Sequence, residues 1–320
     1  MVPLKLIPPL KDYLWGGQRL KTEYGKQTTL DPLAESWELS CHVDGSSVIA
    51  NGEFAGMPLP EWIGRQGREV LGTDCAAFEN FPVLIKLIDA KQSLSVQVHP
   101  ENEYALRVEG EYGKTEMWYI VDCEPGAQLL YGFGRKLDRE EFRRRIEDNT
   151  LLEVTNSVEV HPGDVFFIEA GTLHAIGAGI LIAEIQQNSN TTYRVYDYGR
   201  VGKDGKPREL HVAKALDVTR LEPPTRPARP EGEPEVRDGY RDTRLASCEY
   251  FTVHRLEVDR QAELSVDARS FHSLLCLRGA LQLESEHGGM ELAKGESVFL
   301  QAGYGGYRLT GRGEVLLTTV

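Results

Sequence analysis

The 320-residue sequence has few cysteines, no long apolar run and no excess of basic residues. Its five cysteines are scattered and form no CxxC pair, which argues against a disulfide framework and a structural zinc knuckle. The first ten residues are apolar but are interrupted by Pro3, Lys5, Pro8 and Pro9, so they do not predict a signal peptide. No other segment is apolar enough to cross a bilayer. We therefore expect a cytoplasmic protein with no membrane partner.

The charge balance is strongly acidic, with 49 aspartates and glutamates against 36 lysines and arginines and a formal net charge of -13. Such a surface repels nucleic acid and anionic membranes, so we expect neither as a partner. An anionic substrate meets the same repulsion unless lysines and arginines cluster at its binding site. The length and the hydrophobic content of 41% are typical of a globular protein with one large or two ordinary domains.

Short strands separated by glycine and proline turns follow one another along the chain. This rhythm favours an all-β sandwich or barrel over an α/β sheet. The main strand candidates are Pro82–Ile88, Ser95–Pro100, Lys114–Val121, Val165–Ile168 and Ile180–Gln187. Short helices are predicted at Pro60–Leu71, Glu101–Val108 and Asp138–Asn149, the last with Asp138 and Glu141 in capping-box spacing.

One nine-residue pattern occurs twice in the sequence. Gly163–Gly171 (GDVFFIEAG) is matched in residue type and spacing by Gly295–Gly303 (GESVFLQAG). His174 follows the first copy by three positions, whereas Gly306 stands at the corresponding position after the second copy. The repeat predicts two related β-barrels, of which only the first keeps a metal ligand.

A change of composition separates the two copies. Residues 221–240 are rich in proline, arginine and glutamate, which is typical of a linker. We therefore predict a catalytic unit with a few short helices at 1–220, a linker at 221–240 and a second barrel without metal ligands at 241–320.

The strand Ser95–Pro100 is the centre of the functional hypothesis. Gln97 and His99 stand two positions apart, so their side chains point to the same face of a strand. An imidazole and an amide oxygen are two possible ligands for a divalent metal, although a strand histidine with a purely structural hydrogen bond fits the same pattern. Lys86 interrupts the apolar strand before it and either reaches an edge or faces a polar pocket, because an unpaired buried ammonium is costly.

The residues from Gly163 to His174 resemble the second conserved motif of the cupin superfamily, with Glu169 where many cupins have proline. The first cupin motif would supply histidine ligands and a glutamate, and Gln97, His99 and Glu116 stand in that order here. The resemblance implies a metal site of Gln97, His99, Glu116 and His174. Two nitrogens and two oxygens suit zinc or another divalent ion.

Longer motifs resemble the short-chain form of type I mannose-6-phosphate isomerases. These motifs are Leu84–Leu87, Leu94–Pro100, Gly113–Tyr119, Gly171–Ala175 and Glu184–Tyr198. The resemblance extends from about Leu14 to Asp217 and is less specific in the C-terminal barrel. It implies two cupin-type, jelly-roll-like antiparallel barrels and one Zn²⁺ per chain. It also implies an aldose-ketose isomerase that interconverts mannose 6-phosphate and fructose 6-phosphate through an enediol, with a small sugar phosphate as its ligand. We expect a monomer or a homodimer.

The same resemblance implies roles for five further residues. Arg194, Glu184 and Lys114 match catalytic positions, with Glu184 as the candidate base. Lys86 and Arg200 match substrate-binding positions, and some relatives carry lysine in place of Arg200. These cations would form the local positive cluster that an anionic substrate requires.

Other interpretations of these residues stay open at this point. Glu184 is also compatible with a salt bridge to Lys86 or Lys114, and Lys114 with a charge that faces solvent. Arg194 is equally suited to an ion pair with Asp197 in the loop.

Asn190 is a departure from the family pattern. Many relatives have aspartate there, and an amide cannot take a proton. This difference keeps a second function open, a non-catalytic cupin that senses a sugar phosphate. An oxygen-using metal oxidoreductase is a third possibility, which the motif Glu184–Tyr198 disfavours.

Overall fold

A computed structural model describes residues 1–201 and 205–320. It confirms the predicted mainly β fold, because antiparallel strands hold far more residues than the few short helices. The strands before residue 200 are β1 (Leu4–Ile7), β2 (Leu10–Lys11), β3 (Glu35–Leu39), β4 (Cys41–His42), β5 (Gly45–Ser46), β6 (Val48–Ile49), β7 (Val83–Ala90), β8 (Val96–Val98), β9 (Glu116–Cys123), β10 (Gln128–Phe133), β11 (Thr155–Glu159), β12 (Val165–Ile168), β13 (His174–Ala175), β14 (Ile180–Gln187) and β15 (Tyr193–Tyr196).

The C-terminal third is built almost entirely of strands. They are β16 (Glu235–Arg237), β17 (Tyr240–Ser247), β18 (Thr252–Val258), β19 (Gln261–Val266), β20 (His272–Ser285), β21 (Gly288–Ala293), β22 (Ser297–Leu300) and β23 (Gly305–Thr319). The α-helices are α1 (Arg19–Thr22), α2 (Leu59–Gln66), α3 (Asn102–Val108), α4 (Arg139–Glu147) and α5 (Val212–Val218). Within the described residues, none of these helices is long and apolar enough to span a membrane.

The three helices predicted from the sequence are present with shifted ends. The carboxylate of Asp138 caps α4 by accepting a hydrogen bond from the backbone N–H of Glu141 at 2.7 Å. The carboxylate of Glu141 pairs with Arg135 at 2.6 Å, so this half of the capping box is the one that forms. The second helix, α2, ends earlier than predicted because Gly67 follows it with a φ of 97°, a conformation that favours glycine. A short 3₁₀ segment continues from Arg68 to Leu71.

Two N-terminal sheets enclose the predicted site. A six-stranded sheet has the order β12-β9-β14-β7-β3-β2, and a five-stranded sheet has the order β11-β10-β13-β8-β15. The central strands β7 and β14 are buried along their whole length, so both of their faces are covered. Val83, Ile85 and Leu87 pack into a core shared with the C-terminal third. The alternate side chains of β7, among them Lys86, point to the opposite face and hence toward the five-stranded sheet.

The two copies of the repeat have the same backbone. Each contains a four-residue strand, β12 or β22, between two glycines with positive φ. The values are 99° and 88° at Gly163 and Gly171, and 82° and 72° at Gly295 and Gly303. Residues with side chains rarely adopt this conformation, so the glycines account for the pattern that the sequence repeats.

The N-terminal strand β1 belongs to the C-terminal sheet. Leu4 pairs with Phe299, and β1 therefore lies between β22 and β6 in a ten-stranded sheet. The segment predicted as a linker has no strand or helix from Leu221 to Pro234, and β16 then pairs with β17. The division at 221–240 stays a prediction, since the first unit contributes two strands to the sheet of the second.

A buried ion pair between Lys26 and Glu38 lies where the N-terminal segment packs against the ten-stranded sheet. Lys26 Nζ lies 2.6 Å from Glu38 Oε1 and donates a hydrogen bond to the carbonyl of Gly295 at 2.5 Å. We expect Lys26→Ala to lower the free energy of unfolding by about 3–5 kcal/mol, because Glu38 is left as an unpaired buried charge. Urea denaturation measures the change.

The double variant Lys26→Met/Glu38→Leu is the matched control. It removes both charges and keeps the volume, so its stability should stay within about 1–2 kcal/mol of the parent. If the double variant is as unstable as Lys26→Ala, loss of packing and not the unpaired carboxylate is the cause.

Candidate metal centre and active site

A buried group of two histidines and one glutamate lies between the two N-terminal sheets. His99 follows β8 and His174 begins β13, both in the five-stranded sheet, whereas Glu116 begins β9 in the six-stranded sheet. One ligand atom from each side chain lies within 4.8 Å of the others. The two Nε2 atoms are 3.1 Å apart, and Glu116 lies 3.4 Å from His174 Nε2 and 3.7 Å from His99 Nε2.

The outer nitrogens of both histidines are held by backbone carbonyls. His99 Nδ1 donates to the carbonyl of Thr191 at 2.9 Å, and His174 Nδ1 donates to the carbonyl of Thr172 at 2.8 Å. A carbonyl only accepts, so each Nδ1 carries the hydrogen and each Nε2 presents a lone pair to the centre. Burial lowers the pKa of His174 to about 4 and holds the pKa of His99 well below its usual range, so both rings are neutral at pH 7.

These side chains fit a bound cation. Two nitrogen lone pairs that face each other at 3.1 Å repel unless a positive charge lies between or beside them, and the ammonium of Lys114 lies 3.1 Å from His99 Nε2. Both oxygens of Glu116 are buried and accept no hydrogen bond of ordinary geometry, although the ammonium of Lys114 lies 2.6 Å from Oε2. Burial and the neighbouring Glu184 raise the pKa of Glu116 to about 7. Neutral imidazoles and a buried carboxylate are the donor set of a divalent metal site, and the group could hold such an ion.

Gln97 completes the predicted ligand set at the edge of this group. It pairs with His174 across β13 and β8 and with Arg194 across β8 and β15. Side chains of directly paired residues share a face, so all three point into the space between the sheets. The amide nitrogen of Gln97 lies 3.5 Å from His174 Nε2.

A row of four paired residues crosses the six-stranded sheet beside the metal group. The row consists of Trp118 on β9, Glu184 on β14, Lys86 on β7 and Trp37 on β3. Glu184 Oε1 lies 3.1 Å from Lys86 Nζ and 3.8 Å from Lys114 Nζ. Glu184 Oε2 accepts a hydrogen bond from the indole N–H of Trp118 at 2.9 Å. Register therefore brings a carboxylate and two ammonium groups together without any local sequence motif.

The electrostatics of this row keep Glu184 ionised. Burial alone would raise its pKa, but Lys114 and Lys86 outweigh burial and lower the pKa to about 2. Lys86 is itself buried and raised in pKa, because Glu35 and Glu184 overcome the cost of burying its charge. Glu35 lies 3.7 Å from Lys86 and is fixed by the indole N–H of Trp37 at 2.7 Å.

Gln97 at the edge of the metal group and Lys86 and Glu184 of the charged row line one cleft of about 280 Å³. Its polar lining comprises Glu35, Lys86, Ser95, Gln97, Lys114, Glu184, Asn190, Thr192, Arg194 and Arg208. The structure thus brings together all of the predicted catalytic residues. It also settles two alternatives from the sequence, because Lys86 and Lys114 are both buried and face this cleft.

The arginines lie at one end of the cleft. Arg194 donates to the hydroxyl of Ser95 at 3.3 Å and to the carbonyl of Glu209 at 3.0 Å, and it has no carboxylate partner among the described residues. Asp197 binds Arg200 and Arg208 instead. Arg200 does not line the cleft, since its guanidinium also donates to the carbonyl of Ser93 at 2.6 Å.

A loop from Asn188 to Thr192 contacts both the metal group and the cleft. Glu111 anchors it by accepting hydrogen bonds from the hydroxyl of Thr191 at 3.0 Å and the backbone N–H of Asn190 at 3.2 Å. Thr191 in turn holds His99 through its carbonyl. The Asn190 amide donates to Asp44 at 2.8 Å, so the residue that departs from the family pattern is tied to a carboxylate of another segment.

Sequence reasoning did not find Glu35, Glu111 or Arg208. Glu35 had a faint signal, because it alternates with Trp37 in a strand and so shares its face. Glu111 and Arg208 stand in irregular segments with no periodicity, and only the folded chain brings them to the site.

Antiparallel sheets around a buried His–Glu–His group that could hold a metal, beside a cleft lined by charged side chains, define a cupin-type protein. Residues 3–118 match the family model described as phosphomannose isomerase type I, catalytic domain, and residues 241–320 match the mannose-6-phosphate isomerase cupin domain. The chain belongs to the type I phosphomannose isomerase family.

Named relatives and solved structures cover most of the chain. It is 37% identical to mannose-6-phosphate isomerase ManA of Bacillus subtilis over 99% of this chain and 98% of that one. It is 38% identical to the mannose-6-phosphate isomerase of Streptococcus mutans over 83% and 82% of the two chains. The crystal structure of the mannose 6-phosphate isomerase from Bacillus subtilis superposes with a TM-score of 0.92 at 34% identity, covering 100% of both chains.

Proposed function

We propose that this protein is an aldose-ketose isomerase that interconverts mannose 6-phosphate and fructose 6-phosphate through an enediol and needs one Zn²⁺. The observation that carries the proposal is the cleft lined by Glu184, Lys114 and Arg194 beside a metal-type centre, whose Glu116 lies 2.6 Å from Lys114 Nζ. The names of the relatives support the substrate.

Gln97, His99, Glu116 and His174 would hold the metal. Two neutral imidazoles with a carboxylate and an amide oxygen favour zinc over magnesium or calcium, which prefer oxygen ligands alone. When bound, the ion acts as a Lewis acid that stabilises negative charge on the substrate oxygens.

Glu184 and Lys114 are the candidates for proton transfer. The isomerisation moves one hydrogen between C2 and C1 and shifts protons between the two oxygens. Glu184 is ionised and can accept the proton from carbon, whereas the ammonium of Lys114 can donate one to oxygen. We propose that these two residues act as a pair, with Lys86 holding Glu184 in place at 3.1 Å.

Arg194 and Lys86 are the proposed contacts to the substrate inside the cleft. Arg194 has the planar donor geometry that suits a phosphate or a developing enediolate. Arg200, the other predicted binding residue, is held by Asp197 and Ser93, so we propose that it acts indirectly by positioning Asp197.

The test is an assay of zinc-loaded protein for fructose 6-phosphate formed from mannose 6-phosphate, beside a chelated control. We expect turnover with zinc and little after chelation, restored by added metal. Binding of the sugar phosphate without turnover would contradict the proposal and support the sensor function.

We also propose a location and an oligomeric state for the protein. The cysteines are all free, which supports a reducing, cytoplasmic location. We propose a monomer or a homodimer, which sedimentation analysis would distinguish.

A further inference from the structure

The two ends of the cleft differ in charge. At the lysine end, Lys86 and Lys114 lie among three carboxylates, Glu35, Glu116 and Glu184. The three carboxylates exceed the two ammonium groups by one negative charge, which a bound divalent cation would more than offset.

The opposite end is positive. Arg194 and Arg208 line it, and Arg200 binds the same Asp197 as Arg208. Among the described residues, Asp197 is the one carboxylate that pairs with these three guanidinium groups, and the neighbouring side chain of Glu209 is exposed to solvent. The cations also act on each other, because burial and the neighbouring charge of Arg208 lower the pKa of Arg194. A dianion placed here relieves repulsion between the arginines, whereas at the lysine end it would meet three carboxylates.

Arg194 and Arg208 each have a guanidinium nitrogen that is available for a further hydrogen bond. Both Arg194 and Arg208 line the cleft. Within the described part of the chain, Arg194 Nη2 and Arg208 Nη1 make no hydrogen bond. Asp197 Oδ2 accepts from Arg208 Nε at 2.7 Å and thereby orients that guanidinium. Arg200, in contrast, uses all three of its guanidinium nitrogens on Asp197 and Ser93.

We propose that Arg208 is a phosphate-binding residue, acting with Arg194 at the positive end of the cleft, and that the sugar therefore binds with its reacting carbons toward Lys114 and Glu184. This inference rests on the proposed function and deepens it. Arg208 is a contact that selects a phosphorylated over an unphosphorylated sugar, and Asp197 is its positioning residue.

The variants Arg208→Ala and Arg208→Lys test this role in the zinc-loaded protein. Arg139→Ala is the matched control, because Arg139 also pairs with an aspartate, Asp217 at 2.7 Å, but lies on α4 away from the cleft. We expect Arg208→Ala to raise KM for mannose 6-phosphate and the inhibition constant of inorganic phosphate by about 10- to 100-fold, as for a lost charge-assisted hydrogen bond. The value of kcat should change by only about a few-fold, because the contact is made equally in ground and transition states.

The Arg208→Lys variant distinguishes the loss of a phosphate contact from a folding defect. It keeps the charge beside Asp197 but loses the planar fork, so we expect native thermal stability and a smaller rise in both constants. An unchanged KM in both variants, or a rise of the same size in Arg139→Ala, would overturn the assignment of Arg208. A KM that rises in Arg200→Ala and not in Arg208→Ala would do the same.

Calorimetry with inorganic phosphate separates this inference from the proposed function. If the parent protein does not turn over but binds phosphate, and Arg208→Ala does not bind it, the isomerase proposal fails while the phosphate site stands. If the parent turns over and Arg208→Ala binds phosphate like the parent, only the assignment of Arg208 fails.

Discussion

Replacing His174 by alanine should remove the bound metal and lower kcat/KM by about a thousandfold or more. The reason lies in the arrangement of the centre, where two neutral Nε2 lone pairs converge with the buried carboxylate of Glu116. A metal ion that stabilises charge in the transition state contributes several kcal/mol, and about 4 kcal/mol corresponds to a thousandfold in rate. Elemental analysis of the purified variant and steady-state kinetics with mannose 6-phosphate measure both effects.

A second readout does not depend on activity. Zinc should raise the thermal midpoint of the chelated parent, because it binds the folded state and relieves the repulsion between His99 and His174. His174→Ala should lose this shift. His272→Ala is the matched control, since His272 is a histidine of the C-terminal third that is hydrogen-bonded to Tyr307 at 2.9 Å. Zinc content and activity of His174→Ala equal to those of the control would contradict the metal site.

The sequence predicted the fold well where local patterns decide it. Apolar runs bounded by turns located β7, β9 and β14, and the capping spacing of Asp138 located α4. The repeat identified β12 and β22 as equivalent strands because it records positive-φ glycines. The pairing of β1 with β22 could not be predicted, since it joins residues almost 300 positions apart and a four-residue strand carries no information about its partner.

In the site, too, local patterns predicted some residues, whereas others depend on long-range pairing. The candidate ligands Gln97 and His99 were predicted from strand alternation, and the candidate ligands Glu116 and His174 from the order of the cupin motifs. The position of Glu184 between Lys86 and Lys114 depends on the register of three strands, which no local pattern fixes. The position of Arg208 is still harder to predict, because Arg208 stands in an irregular segment without periodicity. Its contact with Asp197, which places it at the cleft, is seen only in the folded chain.

Glu184→Gln should lower kcat by about 100- to 10,000-fold with a much smaller change in KM, as expected for the loss of a residue that transfers a proton. The amide keeps the shape of the side chain and can still accept the hydrogen bond from Trp118, so the row across the six-stranded sheet should persist. What is lost is the negative charge that faces Lys86 and Lys114 and the capacity to take a proton. Exchange of the C2 hydrogen of mannose 6-phosphate in deuterated water measures the proton-transfer step directly, and we expect this exchange to fall in parallel with kcat.

The variant Glu35→Gln distinguishes the two effects of Glu184→Gln, which are the loss of a negative charge beside Lys86 and the loss of a proton acceptor. Glu35 also pairs with Lys86, at 3.7 Å, and is also fixed by an indole N–H, yet Lys114 has no ion pair with it among the described residues. If Glu184 serves only to neutralise Lys86, Glu184→Gln and Glu35→Gln should lose similar amounts of activity. In both variants, the substrate that is still bound should then exchange its C2 hydrogen. If Glu184 carries the proton, only its variant should lose the exchange. Since Glu184 is the one described carboxylate within 4 Å of both Lys86 Nζ and Lys114 Nζ, we expect the second result.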